Sequence, residues 1–382
     1  MKHIIFLIII MINLSCGGNN ERSASGLVVH PIEENIPHYE NDHISVDKNQ
    51  LVSGVNNYPG IIKKLHSYLH DPNNSDLFEI PLPVSGVRTV EVKSISEDIL
   101  LILDKRSDQL IQYNRSTNDT LLIASRGRGP GDIAYAKDMN RYNNDIYISM
   151  EDMRVSKFSC QNTPCNYDKT VPLEFSPISF AYNNENYIIF GQTPYLGEED
   201  YTIDENSIRI VDDNGGVLTS FGENYRTKDW IVLFTIRDGH IRYSMKNDYY
   251  IHSIELLPYI YIYDQKYEIN SIFYLSEFIQ GEVVFNPVFN GASPPSVDFS
   301  YIHDLTIVED NYLIITTTTR YDEIVSDNDN ECIFEQDYYV IDLSNQSHGY
   351  LGSSCSKFPQ NILITDEWVF LNSNGKIYLV NT

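Results

Sequence analysis

Arg126-Gly127-Arg128-Gly129-Pro130-Gly131-Asp132 is the stretch that most invites a chemical reading. Two arginines set between glycines, in a chain of 53 acidic and 27 basic residues, could clamp a carboxylate or another anion. It is not a nucleotide phosphate loop, because it lacks a closing Lys-Ser/Thr and leads into a strand pattern rather than a helix. Its glycines suit a tight crossover at positive φ, stiffened by Pro130. The simpler role for Arg126 and Arg128 is a salt bridge to a neighbouring unit of the fold. Asp327-Asn328-Asp329-Asn330-Glu331 gathers oxygen ligands of the kind a calcium ion (Ca2+) takes, but without the glycine and the Glu spacing of an EF-hand. It reads as a solvated acidic loop, as do Glu198-Glu199-Asp200 and Asp204-Glu205. His240, His252 and His303 could hold a metal only if the fold gathered them; one by one they are ordinary satisfied histidines. His66 and His70 lie four apart, with no third ligand near. No Gly-x-Ser-x-Gly elbow occurs, and the many Asp and Glu single out no catalytic pair. No catalytic residue and no metal ligand is assigned.

The elements that must position these residues repeat. An acidic or Asn turn precedes an apolar run six times: Ile99 to Leu103, Ile146 to Ile148, Tyr187 to Phe190, Tyr249 to Ile251, Tyr312 to Ile315 and Trp368 to Leu371. A third strand follows each: Leu110 to Tyr113, Val155 to Phe158, Ile208 to Val211, Tyr259 to Tyr263, Tyr338 to Ile341 and Ile377 to Val380. Fourth strands follow at Leu121 to Ala124, Val171 to Phe175, Val217 to Phe221, Ile269 to Leu275 and Tyr350 to Leu351, and the sixth has none before Thr382. An orphan apolar segment, Leu77 to Leu82, stands ahead of the first unit and can complete the last sheet. Repeats of this length with four strands each specify an all-β fold, a six-bladed β-propeller closed by an N-terminal strand. A β-sandwich would explain neither the six units nor the orphan strand. Unit four offers two candidates for its first strand, Ile231 to Ile236 and Ile241 to Met245.

In a propeller, the loops joining second to third strands and blade to blade share one end of the axis. The insertions 191–206, 276–298 and 320–331 fall there, with the 126–132 loop. Long loops on a rigid scaffold are where binding usually sits. Phe285 and Phe289 in the 276–298 insertion offer apolar contact beside Arg126 and Arg128.

Ser125 to Phe158 resembles the NHL-type repeat, through the Arg126–Asp132 element ahead of Asp145-Ile146-Tyr147-Ile148. Leu77 to Thr382 resembles the bacterial six-bladed β-propeller lipoproteins of the NHL/TolB-like group. The resemblance implies an exported binding or scaffold module and transfers no activity to named residues.

The N-terminus agrees. Lys2 and His3 precede nine apolar residues, Ile4 to Ile12, too few to span a bilayer. Leu14-Ser15-Cys16-Gly17 then resembles a lipoprotein signal, with lipid expected on Cys16; Asn13 departs from the usual aliphatic. The expected organisation is a signal peptide over 1–15, a flexible tether over 16–76 carrying one short amphipathic helix from Ile61 to His70, and the propeller over 77–382. Four cysteines remain. In an exported chain they pair, and the spacing pairs Cys160 with Cys165 and Cys332 with Cys355, the latter facing each other across a hairpin that turns at Asp342 to Asn345. A formal charge of −26 excludes nucleic acid as a partner and leaves the lipid as the only membrane contact. The reading is a lipid-anchored module of the bacterial envelope, periplasmic or surface-exposed, that binds a protein or small ligand through its long-loop face. The alternative is a propeller lyase or lactone hydrolase with a metal in its channel.

Overall fold

The structure, a computed structural model, describes residues 28–31, 43–82, 90–192, 194–196, 201–203, 207–222, 226–227, 238–280, 282–286, 291–293, 298–327, 330–356, 361–373 and 376–381. Each repeat is an antiparallel sheet whose strands lie in chain order from the axis outward. Blade one is Val90–Ser94, Ile99–Asp104, Gln109–Asn114 and Asp119–Ala124. Blades two to five begin with the inner strands Ala136–Tyr142, Ser176–Tyr182, Gly239–Ser244 and Phe299–Val308. Blade six runs Asn361–Ile364, Val369–Ser373 and Lys376–Asn381, and its fourth strand is Asp76–Glu79, paired antiparallel from Asp76↔Asn381 to Glu79↔Tyr378. The chain thus closes its own ring, as the orphan segment predicts.

Burial explains the sequence pattern. Second strands are covered on both faces by neighbouring blades, so Ile99–Asp104 is buried at every position and reads as a continuous apolar run. Outer strands face solvent, so Asp119–Ala124 is mostly exposed, with Leu121 and Leu122 about half open. Six apolar clusters fill the six interfaces between blades. The one that seals the ring packs Phe370, Ile377 and Leu379 of blade six and Ile80 against Val92, Ile102 and Tyr113 of blade one.

Local differences from the sequence pattern have local causes. The first strand of unit four is Gly239–Ser244; the competing stretch 231–236 lies outside the described residues. The fourth strand of blade two is Asn166–Pro172, earlier than Val171 to Phe175, because the Cys160–Cys165 disulfide turns the chain back at once. Cys332 and Cys355 are also joined, with Cα atoms 5.5 Å apart, but not as directly opposed residues. Cys355 lies opposite Glu335, because the hairpin turns further along than the middle of the Cys332–Cys355 loop, pairing Ile341 with His348, and a bulge between Tyr338 and Tyr339 adds one more residue of offset between Asn330–Asp342 and His348–Ser356. Two disulfides are the chemistry of an oxidising, extracytoplasmic compartment.

Within the stretch 16–76, expected as tether, Val28–Pro31 pairs with Glu282–Asn286 of the long insertion, and residues 44–70 are packed on the blades. Ile44–Val46 adds a parallel fifth strand to blade four, from Ile44↔Phe273 to Val46↔Leu275. Lys48 reaches blade five, 2.8 Å from Asp337 and 3.4 Å from Glu335. The expected helix is present as Gly60–His70. It buries Ile61, Ile62, Leu65 and Tyr68 against Val308, Ile314, Tyr338 and Leu351 of blade five and Ile362, Ile364 and Val369 of blade six. The segment is a strap laid over three blades. A short alternating pattern could not reveal this, because its partners are far away in sequence.

Candidate functional site

Inner strands line the axis, and their charged residues meet there. Arg242 of blade four is the centre: Nη1 lies 3.0 Å from Asp138 Oδ2 of blade two, Nη2 lies 3.0 Å from Asp304 Oδ1 of blade five, and Nε donates to the Leu305 carbonyl at 2.7 Å. Asp138 also accepts from Ser179 Oγ at 2.5 Å and Phe180 N at 3.0 Å, on blade three. Burial, the largest single influence, would raise both carboxyls, but Arg242 together with other nearby cations and the Ser179 and Thr306 hydroxyls holds Asp138 and Asp304 below the ordinary carboxylate range. Glu91 and Lys105 of blade one form a second pair beside this one, and Glu91 also accepts from Met139 N at 2.6 Å. Five blades, one to five, are therefore joined by charged groups across the axis.

The two ends of the channel differ. At the end carrying the blade-to-blade loops, Glu255 stands 3.8 Å from His240, and His240 lies 3.2 Å from the Ile302 carbonyl. Burial, then the nearby Arg242, lowers His240 to about 4, so it is neutral. Desolvation, then Asp238, pushes Glu255 up to about 8, although its side chain keeps 36% of its surface open. Folded Glu255 therefore holds its proton from the unfolded value near 4.5 up to about 8, and stability falls as pH rises through that window. Glu255→Gln should remove this dependence: its melting temperature should exceed the parent's at pH 8 by more than at pH 5. A pH-independent difference would place Glu255 in an ordinary solvated setting.

At the other end, among the short turns between first and second strands, a cavity of about 300 Å³ opens on the axis. All six blades contribute: Lys93, Arg141, Tyr182, Arg242, Thr306 and Thr365 each come from a different one. Tyr142, Tyr147 and Tyr182 form one wall, with Tyr147 and Tyr182 stacked at 5.0 Å and Tyr142 edge-on to Tyr182 at 5.1 Å. Arg141 is held by main chain alone, donating to the Ser94 carbonyl at 2.6 Å and the Asn143 carbonyl at 2.7 Å. Lys93 makes no direct hydrogen bond or ion pair with a described residue, but its charge acts on Glu91, Asp138 and Asp304 across the axis.

The residues singled out from the sequence are placed as follows. Arg126 Nε lies 2.9 Å from Asp108 Oδ2, within its own blade, while Asp108 Oδ1 accepts from Ala136 N of blade two at 3.0 Å. The Arg128 side chain is exposed, and its carbonyl accepts from Arg154 at 3.4 Å. The loop is closed by Asp132, whose carboxylate accepts from Gly129 N at 2.9 Å; a Cβ on Gly127 would fall 2.2 Å from the same carboxylate. His240 and His303 line the axis, but His252 lies in the core between blades three and four, against Phe190 at 4.7 Å. Among the described residues no three His, Cys, Asp or Glu side chains could share a metal ion. Cys16 and Phe289 lie outside the described residues, and Phe285 is described only as backbone, in Glu282–Asn286. The sequence reading assigned none of the cavity residues to a site; Tyr147 and Met245 entered it only as strand residues. A signal was present: Lys93, Arg141, Arg242 and Asp304 are charges inside the first strands of their units, and a charge there must face the axis.

No family model matches the chain, and no curated protein matches it in sequence. Solved structures do. A putative exported protein from Bacteroides fragilis aligns at TM-score 0.53 and 13% identity, over 88% of this chain and 99% of the other. The shared fold is the six-bladed β-propeller. A DUF4221 member from Bacteroides vulgatus (TM-score 0.47, 8% identity, 81% and 96% covered) is also similar. So is virginiamycin B lyase from Staphylococcus aureus (TM-score 0.45, 9% identity, 81% and 100% covered).

Proposed function

We propose that the protein is a non-catalytic binding module of the cell envelope, anchored by lipid on Cys16, that takes a small polar ligand in the axial cavity among its short turns. The supporting observation is that cavity: about 300 Å³, on the axis, and lined from all six blades. Its volume is at the lower end for small-molecule sites, roughly 300–1,000 Å³. The long insertions all connect second to third strands or blade to blade, so strand order puts them at the opposite end. That end, with Arg126 and Arg128, is the surface a partner protein would use.

Met245 and Asp366 rim the cavity with exposed side chains. The double variant Met245→Trp/Asp366→Trp should fold and melt like the parent while losing at least tenfold in affinity for any ligand of the axial cavity. Unchanged affinity would move the binding site elsewhere. The anchor is tested separately. Cys16→Ser should leave the chain unprocessed or release it into the soluble fraction; a processed variant that still sediments with membranes would disprove lipidation there.

A further inference from the structure

We infer that the ligand of the axial cavity is a small anion carrying a flat ring, with its carboxylate or phosphate held by Lys93 and Arg141 and its ring laid on the tyrosine wall. This rests on the binding role proposed above and adds the chemical class. Three cations line the cavity. Arg242 already has Asp138 and Asp304, and Glu91 has Lys105. Arg141 is bonded only to carbonyls, one of them that of Ser94, the residue after Lys93. Arg141 and Lys93 are thus neighbours on adjacent blades, without a carboxylate bonded to either among the described residues. Like charges side by side in a partly dehydrated cavity repel each other, and an anion between them removes that repulsion while gaining charge-assisted hydrogen bonds. In a chain of net charge −26 such a pair stands out from its surroundings.

The nearby acidic groups do not cancel it: Glu91, Asp138 and Asp304, which Lys93 also attracts, are already bonded to Lys105 and Arg242. Both carboxylate oxygens of Asp310 are occupied by Met245 N and Lys246 N, at 2.8 and 2.7 Å. Asp366 is exposed to solvent on blade six, whereas Lys93 and Arg141 belong to blades one and two. The ring preference follows from the wall: Tyr142 and Tyr182, half-buried, present aromatic surface to the same cavity, and the buried Tyr147 backs Tyr182. Either an aromatic ring or the apolar face of a sugar would stack there.

Calorimetry with matched pairs tests this on the full chain. Benzoate is set against benzamide, D-glucuronate against D-glucose, and inorganic phosphate supplies the anion without a ring. One anionic ring should bind at least tenfold tighter than its neutral partner and tighter than phosphate, and the better pair identifies the ring as aromatic or sugar. Lys93→Gln should lose that preference and Lys93→Arg should restore it, both with the parent's melting temperature. Equal affinity within each pair, still abolished by the Met245→Trp/Asp366→Trp rim variant, would overturn the anion proposal and leave the binding cavity standing. Binding that the rim variant does not change, or no binding of any anionic probe at roughly millimolar concentration, would overturn both.

Discussion

Arg242→Met is expected to lower the free energy of unfolding by about 3–5 kcal/mol at pH 7, as for other buried pairs that lose one partner. The variant leaves Asp138, with a side chain only 5% exposed, and Asp304 without their guanidinium. Its pH dependence is the sharper test. In the parent, both carboxyls are depressed in the folded state, so their contribution is complete above the unfolded value near 3.8 and is lost as pH falls below it. Without Arg242, burial is left to raise them, and folding must then take up protons. The penalty should therefore be greatest at neutral pH and shrink toward pH 4. Urea titrations at both values decide it. A penalty that is constant with pH would mean that Arg242 acts by packing alone.

A chain beginning at residue 80 should fail to form a stable monomer. It loses the fourth strand of blade six and leaves the Lys376–Asn381 edge open to pair with other chains. It also uncovers the surface now filled by Val46, Ile61, Ile62, Leu65 and Tyr68, all less than 9% exposed. At roughly 1.5–3 kcal/mol for each such side chain, the loss is on the order of 10 kcal/mol, comparable to the stability of a whole domain. A milder variant keeps the ring closed: Ile62→Ala should cost about 2–5 kcal/mol, measured by thermal and urea unfolding. If the shortened chain stays monomeric and melts with the parent, the strap and the closing strand carry no structural weight.

The blades were legible because a strand covered on both faces must be apolar throughout, and six such runs recur behind acidic or Asn turns. Closure was legible as well, since a last unit without its fourth strand and an orphan strand ahead of the first answer each other. The strap over 44–70 was not. Ile44–Val46 reads as three residues of an acidic, polar stretch until blade four lies beside it, and Lys48 reveals its role only through Asp337. The disulfide partners were legible, but their register was not, because neither the turn's pairing of Ile341 with His348 nor the bulge at Tyr338 and Tyr339 leaves a mark in composition. At the axis, sequence reading followed loop length and the conspicuous Arg126–Asp132 element. That element forms a closed crossover in which Arg126 pairs with Asp108. The channel charges are scattered over the inner strands of blades one, two, four and five, far apart in sequence, and only the ring brings them together.

The most direct test of the account is hydrogen exchange with and without the tighter-binding of benzoate and D-glucuronate. The axial-cavity reading predicts slower exchange at the inner-strand ends and turns 93–94, 140–143, 305–310 and 364–366, with no change at 194–203 and 282–293. Protection confined to those long insertions, with the short-turn end unaffected, would contradict it.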